Sequence, residues 1–272
     1  MSHTPSIAFI GTGNMAGSII GGLLAEGYPA QQITATARSE TNQARARALG
    51  DIHVSDNNGE AIAAADVIVL AVKPQMLKDL VLEHADALAN KLIISVAAGV
   101  TAASIANWVG RDCAIVRCMP NTPSQLRAGA SGLYANAQCN KEQRAIADRI
   151  MAAVGIVVWC QQEDELHAVT AVSGSGPAYV FLFTQCMIEA GEACGLSRDT
   201  AEQLALQTVL GAARMASETE VDVVELRRRV TSPNGVTERA IQSFEADDLA
   251  AIVTKAMRTA VARSQEMSTL FS

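Results

Sequence analysis

The first 160 residues alternate short apolar runs with segments whose apolar residues recur at helical spacing. The runs VIVLAV and LIISVAA are continuously apolar, which is typical of parallel strands buried on both faces. The pattern predicts further strands at SIAFIG, ITATA, CAIVRCM, SGLYA and IVVWC, and helices over residues 15–26, 41–49 and 141–154. Strands that alternate with helices form crossover units, so we predict an α/β, Rossmann-type, doubly wound sheet.

After Cys160 the strand patterns stop and helical spacing takes over. We therefore predict two domains, residues 1–162 and an all-α C-terminal domain over residues 163–272. The helical segments carry more apolar faces than so short a domain can bury within itself, as in the stripe Leu204, Val209 and Ala212. These faces need partners, so we expect dimerisation through this half.

Composition and charge exclude several classes of protein. The 272 residues are 49% apolar with a net charge of −7, which gives a sizeable core and no surface for nucleic acid. No apolar run reaches the length of a membrane span, and no signal segment precedes the first strand pattern, so we expect a cytoplasmic protein. The six cysteines and four histidines lack metal-ligand spacing, so we expect no metal and no disulfide.

The segment IAFIGTGNMAG places Gly11, Gly13 and Ala16 in a G-x-G-x-x-A pattern between the first strand and the first helix. Gly11 permits a tight turn, Gly13 lets a pyrophosphate approach the backbone, and Ala16 keeps helix and strand close. Because the pattern follows a strand and opens a helix, it predicts a dinucleotide site over residues 1–162.

The end of the second predicted strand bears on which nucleotide is bound. NAD sites usually carry a carboxylate there for the ribose hydroxyls, whereas this chain has Arg38 and Ser39. A cation beside a hydroxyl favours a 2′-phosphate, hence NADP(H), with NAD(H) as an additional cofactor. The alternative is that Arg38 is only a solvated surface residue.

Two further loops follow strand ends, where ligands bind in open α/β sheets. In AVKPQ, Pro74 suits the first turn of a helix, while Lys73 is either a site residue or a strand-end charge. In RCMPNTP, the prolines stiffen the loop and Asn121 offers an amide to a polar ring.

The motifs IGTGNMA, AVKPQ, MPNTP, TAVSGSGPAY and VTSPNGVTERAI occur in this order and together resemble the pyrroline-5-carboxylate reductase family. The resemblance covers essentially the whole chain and implies NAD(P)H-dependent reduction of 1-pyrroline-5-carboxylate to L-proline. It also implies a helical substrate-binding and dimerisation domain, in a homodimer or a larger ring such as a decamer built from dimers.

The resemblance further implies roles for individual residues. The residue matching the family's ring-nitrogen contact is Thr237. The implied substrate-binding residues are Ser173, Gly174, Ser175, Gly176, Ser232, Asn234, Gly235 and Val236. The implied cofactor-binding residues are Gly11, Gly13, Asn14, Met15, Ala16, Arg38, Ser39, Asn58, Ala71, Val72, Lys73, Pro74 and Asn121.

Elementary chemistry agrees with these roles but leaves alternatives open. A small carboxylate can be held by free N–H groups at a helix start, and TSPNGVTERAI looks like such a start. Without the resemblance, the same segment would equally suit an ordinary helix cap. Likewise, the small residues of VSGSGPAYV suit either a ligand or a close helix–helix contact.

Three positions depart from the family pattern, whose loop is closer to T-S-P-G-G-T/A-T. Asn234 replaces the first glycine, and asparagine tolerates the left-handed conformation. Val236 replaces a smaller residue or threonine and is stiff at its first torsion. His167 stands where the family often has aspartate, which could alter a cap or a subunit contact and make it pH-sensitive.

Two rival functions share this plan. β-Hydroxyacid dehydrogenases and related imine reductases use a similar small-residue helix start, but those dehydrogenases also need a lysine further along that helix. After Lys141 the chain has only Lys255, in its last predicted helix, which argues against them. A non-catalytic NADP-binding regulator would need neither the Thr/Ser loop nor the Ser-Gly-Ser-Gly stretch.

Overall fold

The computed structural model describes residues 4–271, and within them an eight-stranded sheet forms the N-terminal part. The strands are β1 Ile7–Ile10, β2 Ile33–Thr36, β3 His53–Ser55, β4 Val67–Leu70, β5 Leu92–Ser95, β6 Ala114–Met119, β7 Gly129–Ala135 and β8 Gly155–Trp159. Their order across the sheet is β3-β2-β1-β4-β5-β6-β7-β8. The predicted Rossmann-type sheet is confirmed.

Helices cover both faces of this sheet. They are α1 Asn14–Ala25, α2 Glu40–Arg47, α3 Asn58–Ala64, α4 Pro74–Glu83, α5 Ala85–Leu88, α6 Ala102–Val109 and α7 Lys141–Ala152. α1, α2 and α7 contribute to one hydrophobic core, and α3 to α6 contribute to the other. β1 serves both cores, because Ile7 and Phe9 point to the first and Ala8 and Ile10 to the second, all fully buried.

The order in which successive strands join the sheet reverses at β1. β2 pairs with one side of β1 and β4 with the other, both in parallel, so the sheet grows outward from β1 in two directions. The crevice at such a switch point is where open α/β sheets bind ligands. The residues that follow β1, β2 and β4 meet there.

The connection from β6 to β7 reverses the chain. These two strands are antiparallel, whereas all other neighbouring strands described are parallel. The connecting residues 120–128 include only a short 3-10 helix, Thr122–Leu126. A parallel crossover needs about a dozen residues or more. The doubly wound sheet is therefore mixed at this one joint.

The rest of the described chain is helical. It comprises α8 Glu165–Val169, a π-helical turn Thr170–Gly174, α9 Gly176–Ala193, α10 Arg198–Ser217, α11 Val223–Arg229, α12 Val236–Ala246 and α13 Leu249–Leu270. By packing, the chain forms two units. One contains the sheet through Ser175 together with the end of α13 from Thr259, and the other is Gly176–Arg258.

Few of the described side chains in the second unit are buried. Its buried cluster is Ile188, Ala201 and Ala205, where α9 and α10 approach so closely that a Cβ on Gly191 would lie 3.1 Å from Ala201. Among the described residues of α11, α12 and α13, none is fully buried. Large apolar side chains are instead exposed, including Phe181, Leu182, Leu204, Leu210, Val223 and Ile252.

One helical stretch departs from expectation. The helical segment Glu165–Ala193 is long enough to cross a membrane and contains an 18-residue window with a mean hydropathy of 1.2, although no run of the sequence was expected to cross one. Core helices of soluble proteins can have the same length and hydropathy. The same apolar surface is what a helix–helix interface requires.

Candidate active site

The turn between β1 and α1 brings bare backbone to the carboxyl edge of the sheet. Gly11 has a φ of +97°, and a Cβ there would lie 2.9 Å from the carbonyl oxygen of Ala71. Gly13 is extended, and a Cβ there would meet nothing within 4 Å. α1 begins with N–H groups that no side chain caps, and fully buried Ala16 seats it on the sheet. Such a helix start suits a phosphate.

Thr12, inside this turn, is a residue that the motif reading did not single out. Its Oγ1 atom is buried and has no hydrogen-bond partner among the described residues. A buried hydroxyl without a partner is unfavourable by about 1–3 kcal/mol. A ligand oxygen at the turn would supply the missing partner, so the turn fits a dinucleotide by its space, its donors and its orphaned hydroxyl.

A cavity of ≈ 310 Å³ opens at the ends of β1, β2 and β4. It brings together four predicted cofactor residues, namely Gly11, Arg38, Asn58 and Val72. Arg38 is exposed at its mouth. Ser39 is not among the lining residues. Its Oγ accepts the N–H of Asn42 at 3.3 Å and caps α2, which uses only the acceptor side of the hydroxyl.

The segment after β4 forms one wall of the same crevice. The Ala71 N–H donates to the carbonyl of Ile10 at 2.9 Å, which fastens this segment to β1. Pro74 is the first residue of α4, as predicted, and Lys73 is the exposed residue before it. Neither Lys73 nor Pro74 lines the cavity, whereas Gln75 and Met76, which the sequence did not single out, do.

A second cavity of ≈ 560 Å³ runs along α1 on the other side of Thr12. It contains the predicted residues Gly13 and Asn14, and two cations that sequence reasoning missed, Arg45 and Arg127. Arg45 donates to the Asn14 side-chain oxygen at 3.0 Å. Arg45 is placed there by packing between α1 and α2, which no local pattern reveals. Met15 is half-buried against the core.

Asn121 is buried after β6 and its amide already has structural partners. Its Nδ2 donates to the carbonyl of Ser173 at 3.0 Å, and its Oδ1 accepts the N–H of Ala130 at 2.9 Å. The side chain thus ties the loop after β6 to β7 and to the π-helical turn. These two bonds fix the loop, and the expected contact between the Asn121 amide and a polar ring stays a prediction.

The Ser-Gly-Ser-Gly stretch begins in the π-helical turn. The Ser173 hydroxyl donates to the carbonyl of Val169, and the Ser175 N–H donates five residues back to Thr170. A Cβ on Gly174 would lie 2.6 Å from the end of Met119, so this glycine serves close packing on β6. π turns recur at functional sites, because they re-aim the residues beside them. Gly176 is the first residue of α9.

The segment of residues 232–237 belongs to the second unit, and its last two residues are the first two of α12. Asn234 has a φ of 58°, so asparagine does adopt the left-handed conformation expected of it. Gly235 precedes α12 without any side-chain cap. Val236 is 90% exposed and Thr237 is exposed, as is Ser232. The helix therefore presents uncapped N–H groups and a threonine hydroxyl at its start.

A polar junction that the sequence did not predict lies behind the sheet ends. Arg117 on β6 donates to Glu163 at 3.0 Å, and the same carboxylate oxygen accepts the Ala102 N–H at the start of α6 at 2.6 Å. His167 is buried and hydrogen-bonded to Ser264 at 2.9 Å. Burial, aided by the charge of Arg117, lowers the pKa of His167. The sequence signal for this polar junction was Arg117, within the otherwise apolar run CAIVRCM.

Four of the six cysteines are buried and two, Cys186 and Cys194, are exposed. All six are free thiols, and burial raises the pKa of Cys113 to about 11 and raises that of Cys118 still further. Over residues 4–271, no group of three metal-ligating side chains comes together. Thiolate chemistry at neutral pH is therefore disfavoured at these two buried positions.

A glycine turn at the switch point of a Rossmann sheet, followed by a helical part with little core, places the chain among the dinucleotide-dependent oxidoreductases with a helical second domain. Comparison with known proteins narrows this class. Residues 6–99 match the model described as NADP oxidoreductase, coenzyme F420-dependent, and residues 163–267 match pyrroline-5-carboxylate reductase dimerisation.

Full-length relatives agree. The chain is 54% identical to the pyrroline-5-carboxylate reductase of Pseudomonas aeruginosa over 266 residues, which is 97% of each chain. A solved pyrroline-5-carboxylate reductase from Coxiella burnetii is 48% identical, with a TM-score of 0.94 over 98% of this chain and 99% of that one. Pyrroline carboxylate reductase of Plasmodium falciparum with NADP bound is 28% identical, with a TM-score of 0.85 over 97% of this chain and 98% of that one. The chain belongs to the pyrroline-5-carboxylate reductase family, which confirms the resemblance.

Proposed function

We propose that the protein reduces 1-pyrroline-5-carboxylate to L-proline with NADPH, the last step of proline biosynthesis. The observation that carries this proposal is the similarity to the Pseudomonas aeruginosa reductase over 97% of both chains, because it includes the glycine turn and the helical part together. Neither β-hydroxyacid dehydrogenases and related imine reductases nor a non-catalytic regulator would account for that continuous match.

The reaction adds a hydride to C5 of the cyclic imine and a proton to its nitrogen. When bound, the reduced nicotinamide supplies the hydride from its C4 atom. The chain has to hold that carbon close to the ring, contact the ring nitrogen and anchor the carboxylate. In our proposal the uncapped N–H groups at the start of α12 hold the carboxylate, and the Thr237 hydroxyl contacts the nitrogen.

The cofactor would bind along the switch-point crevice. In our proposal the N–H groups after Gly13 hold the pyrophosphate, Arg38 and the Ser39 hydroxyl hold the 2′-phosphate, and Asn58 lies beside the adenosine. Support comes from the cavity that joins Gly11, Arg38, Asn58 and Val72, and from the residues Ala37, Arg38 and Ser39 directly after β2, none of which is a carboxylate. NADP(H) is the expected cofactor, and NAD(H) would bind less tightly.

The remaining site assignments follow the same scheme. Ala71, Lys73, Pro74 and Asn121 would border the cofactor from the loops after β4 and β6. The residues assigned to the substrate are Ser173, Gly174, Ser175, Gly176, Ser232, Asn234, Gly235 and Val236. Asn121 would act by holding the Ser173 backbone in place, because its amide already bonds that carbonyl.

The assembly we propose is a homodimer through the C-terminal helices, or a ring such as a decamer built from those dimers. The exposed apolar faces of α9 to α13 support it, since a second copy would cover them. Residues 163–272 would form the dimerisation domain, in line with a family match that begins at residue 163. The working location we propose is the cytoplasm, with the apolar helix Glu165–Ala193 in the subunit interface.

Initial-rate measurements test the function. The protein is assayed with 1-pyrroline-5-carboxylate and either NADPH or NADH, and in parallel with the six-membered cyclic imine carboxylate. We expect turnover of the five-membered ring with NADPH preferred. Cofactor binding without turnover would favour the regulator, and faster turnover of the six-membered ring would favour a different imine reductase.

A further inference from the structure

The loop before α12 contains a tight turn, and a side chain outside the turn also bonds to it. The Gly235 N–H donates to the carbonyl of Ser232 at 3.0 Å, with Pro233 and Asn234 between them. Proline at the second position and a φ of 58° at the third are the features of a type II turn. This turn normally carries glycine at its third position, because the left-handed conformation is unfavourable for other residues.

A second side chain fixes the central peptide of that turn. The carboxylate of Glu238, three residues into the start of α12, accepts the Asn234 N–H at 2.9 Å. That N–H belongs to the peptide between Pro233 and Asn234, whose orientation distinguishes a type II turn from a type I turn. In the type I form, Asn234 would have a negative φ and its N–H would point elsewhere. The bond from Glu238 therefore favours the observed form.

We propose that Glu238 is a positioning residue for substrate binding, which compensates for asparagine at position 234. By holding the type II turn, it keeps the free N–H groups of Val236 and Thr237 and the Thr237 hydroxyl in the arrangement that receives the substrate carboxylate and ring nitrogen. The proposal rests on the proposed function for its substrate. Its structural part stands on the Asn234–Glu238 hydrogen bond alone.

The geometry explains why a carboxylate is useful here. Position 235 is restricted to glycine, because a Cβ there would lie 2.9 Å from the Ser232 carbonyl oxygen. The first backbone bond of the helix, from the Arg239 N–H to Gly235, is long at 3.3 Å. A carboxylate near a helix start is also favoured by the helix dipole. The loop and the first turn of α12 are thus joined mainly through Glu238.

The test compares Glu238→Ala and Glu238→Gln in the intact enzyme, each with and without Asn234→Gly. Glutamine keeps an acceptor oxygen, whereas alanine removes it. We expect Glu238→Ala to raise the KM for 1-pyrroline-5-carboxylate roughly 3- to 10-fold, with the KM for NADPH changed less than about 2-fold. Glu238→Gln should keep the KM for 1-pyrroline-5-carboxylate close to its wild-type value. In the Asn234→Gly background, Glu238→Ala should matter less than about 2-fold, because glycine adopts the left-handed conformation unaided.

Backbone amide exchange provides a readout that does not depend on turnover. The Asn234 amide should be protected in the wild type and in Glu238→Gln, and should exchange faster in Glu238→Ala. Glu245→Ala, which removes the same charge from the other end of α12, should change neither amide exchange nor substrate KM.

Three results would overturn the inference. Wild-type kinetics and exchange in Glu238→Ala would remove Glu238 from the turn. An equal loss with and without Asn234→Gly would show that Glu238 acts by some route other than compensating for asparagine. A wild-type chain that fails to reduce the imine would defeat the proposed function and the substrate role with it, while the exchange pattern would still decide the structural part.

Discussion

Replacing Arg38 by alanine tests how the chain selects its cofactor. The guanidinium is exposed at the mouth of a cavity that Asp79 and Glu83 also line. A hydrogen bond to a charged group contributes about 1.5–3 kcal/mol when shielded, and solvent exposure reduces this to roughly 1–2 kcal/mol. At 1.4 kcal/mol per tenfold, the KM for NADPH should rise about 5- to 30-fold. Without Arg38, the negative charges of Asp79 and Glu83 would repel the 2′-phosphate unopposed, so we expect the rise in KM to lie near the upper end of this range.

The assay measures initial rates at saturating imine with NADPH and with NADH. NADH lacks the 2′-phosphate, so its KM should change less than about 2-fold, and higher salt should narrow the gap between the cofactors. Arg38→Lys should retain part of the preference. Arg47→Ala, at the opposite end of α2, removes the same charge and should leave both KM values unchanged. Equal losses for NADPH and NADH in Arg38→Ala would refute the phosphate assignment.

Thr237→Ala should lower kcat/KM for the imine by roughly 10- to 150-fold, because the lost polar contact stabilises the transition state by about 1.5–3 kcal/mol. Unchanged kinetics in a folded variant would remove Thr237 from the mechanism. Gly11→Ala should raise the KM for NADPH at least about tenfold because of its contact with the Ala71 carbonyl, whereas Gly27→Ala, with a φ of +80° and open space, should lower only the melting temperature. The lowered pKa of His167 means that the unfolded chain takes up a proton that the folded chain resists. Stability should therefore fall as the pH drops below about 6.5 and level off above it. His167→Asn should flatten that slope in thermal melts, and an unaltered slope would assign it to other groups.

Much of the sheet could be predicted because its strands are apolar on both faces. Ile7–Ile10 and Val67–Leu70 are fully buried, so their sequences carry no helical period. β3 was missed, because its residues His53–Ser55 are exposed or only partly buried and two of them are polar. The reversal at β7 could have been predicted, because residues 120–128 are too few for a crossover.

The candidate site was predicted less completely, and the reason is physical. A glycine turn depends on a few neighbouring residues, so Gly11 and Gly13 can be identified from the sequence alone. The partners of Arg45 and Asn121 come from different elements of the fold, and the Thr12 hydroxyl loses access to solvent only through packing. The family resemblance identified the loop before α12, but the hydrogen bond from the Asn234 N–H to Glu238 depends on how the turn folds against the helix.

The scarcity of buried residues in α11 to α13 has a consequence for how much active enzyme a cell holds. A newly made chain cannot shelter those helices by itself, so in the proposed dimer the completion of its fold depends on meeting a second copy. Such a reaction follows mass action, and halving synthesis would more than halve the assembled population near the dissociation constant. Abundance and catalytic competence are thereby linked: below that concentration, chains are left with apolar helices open to proteases and to one another.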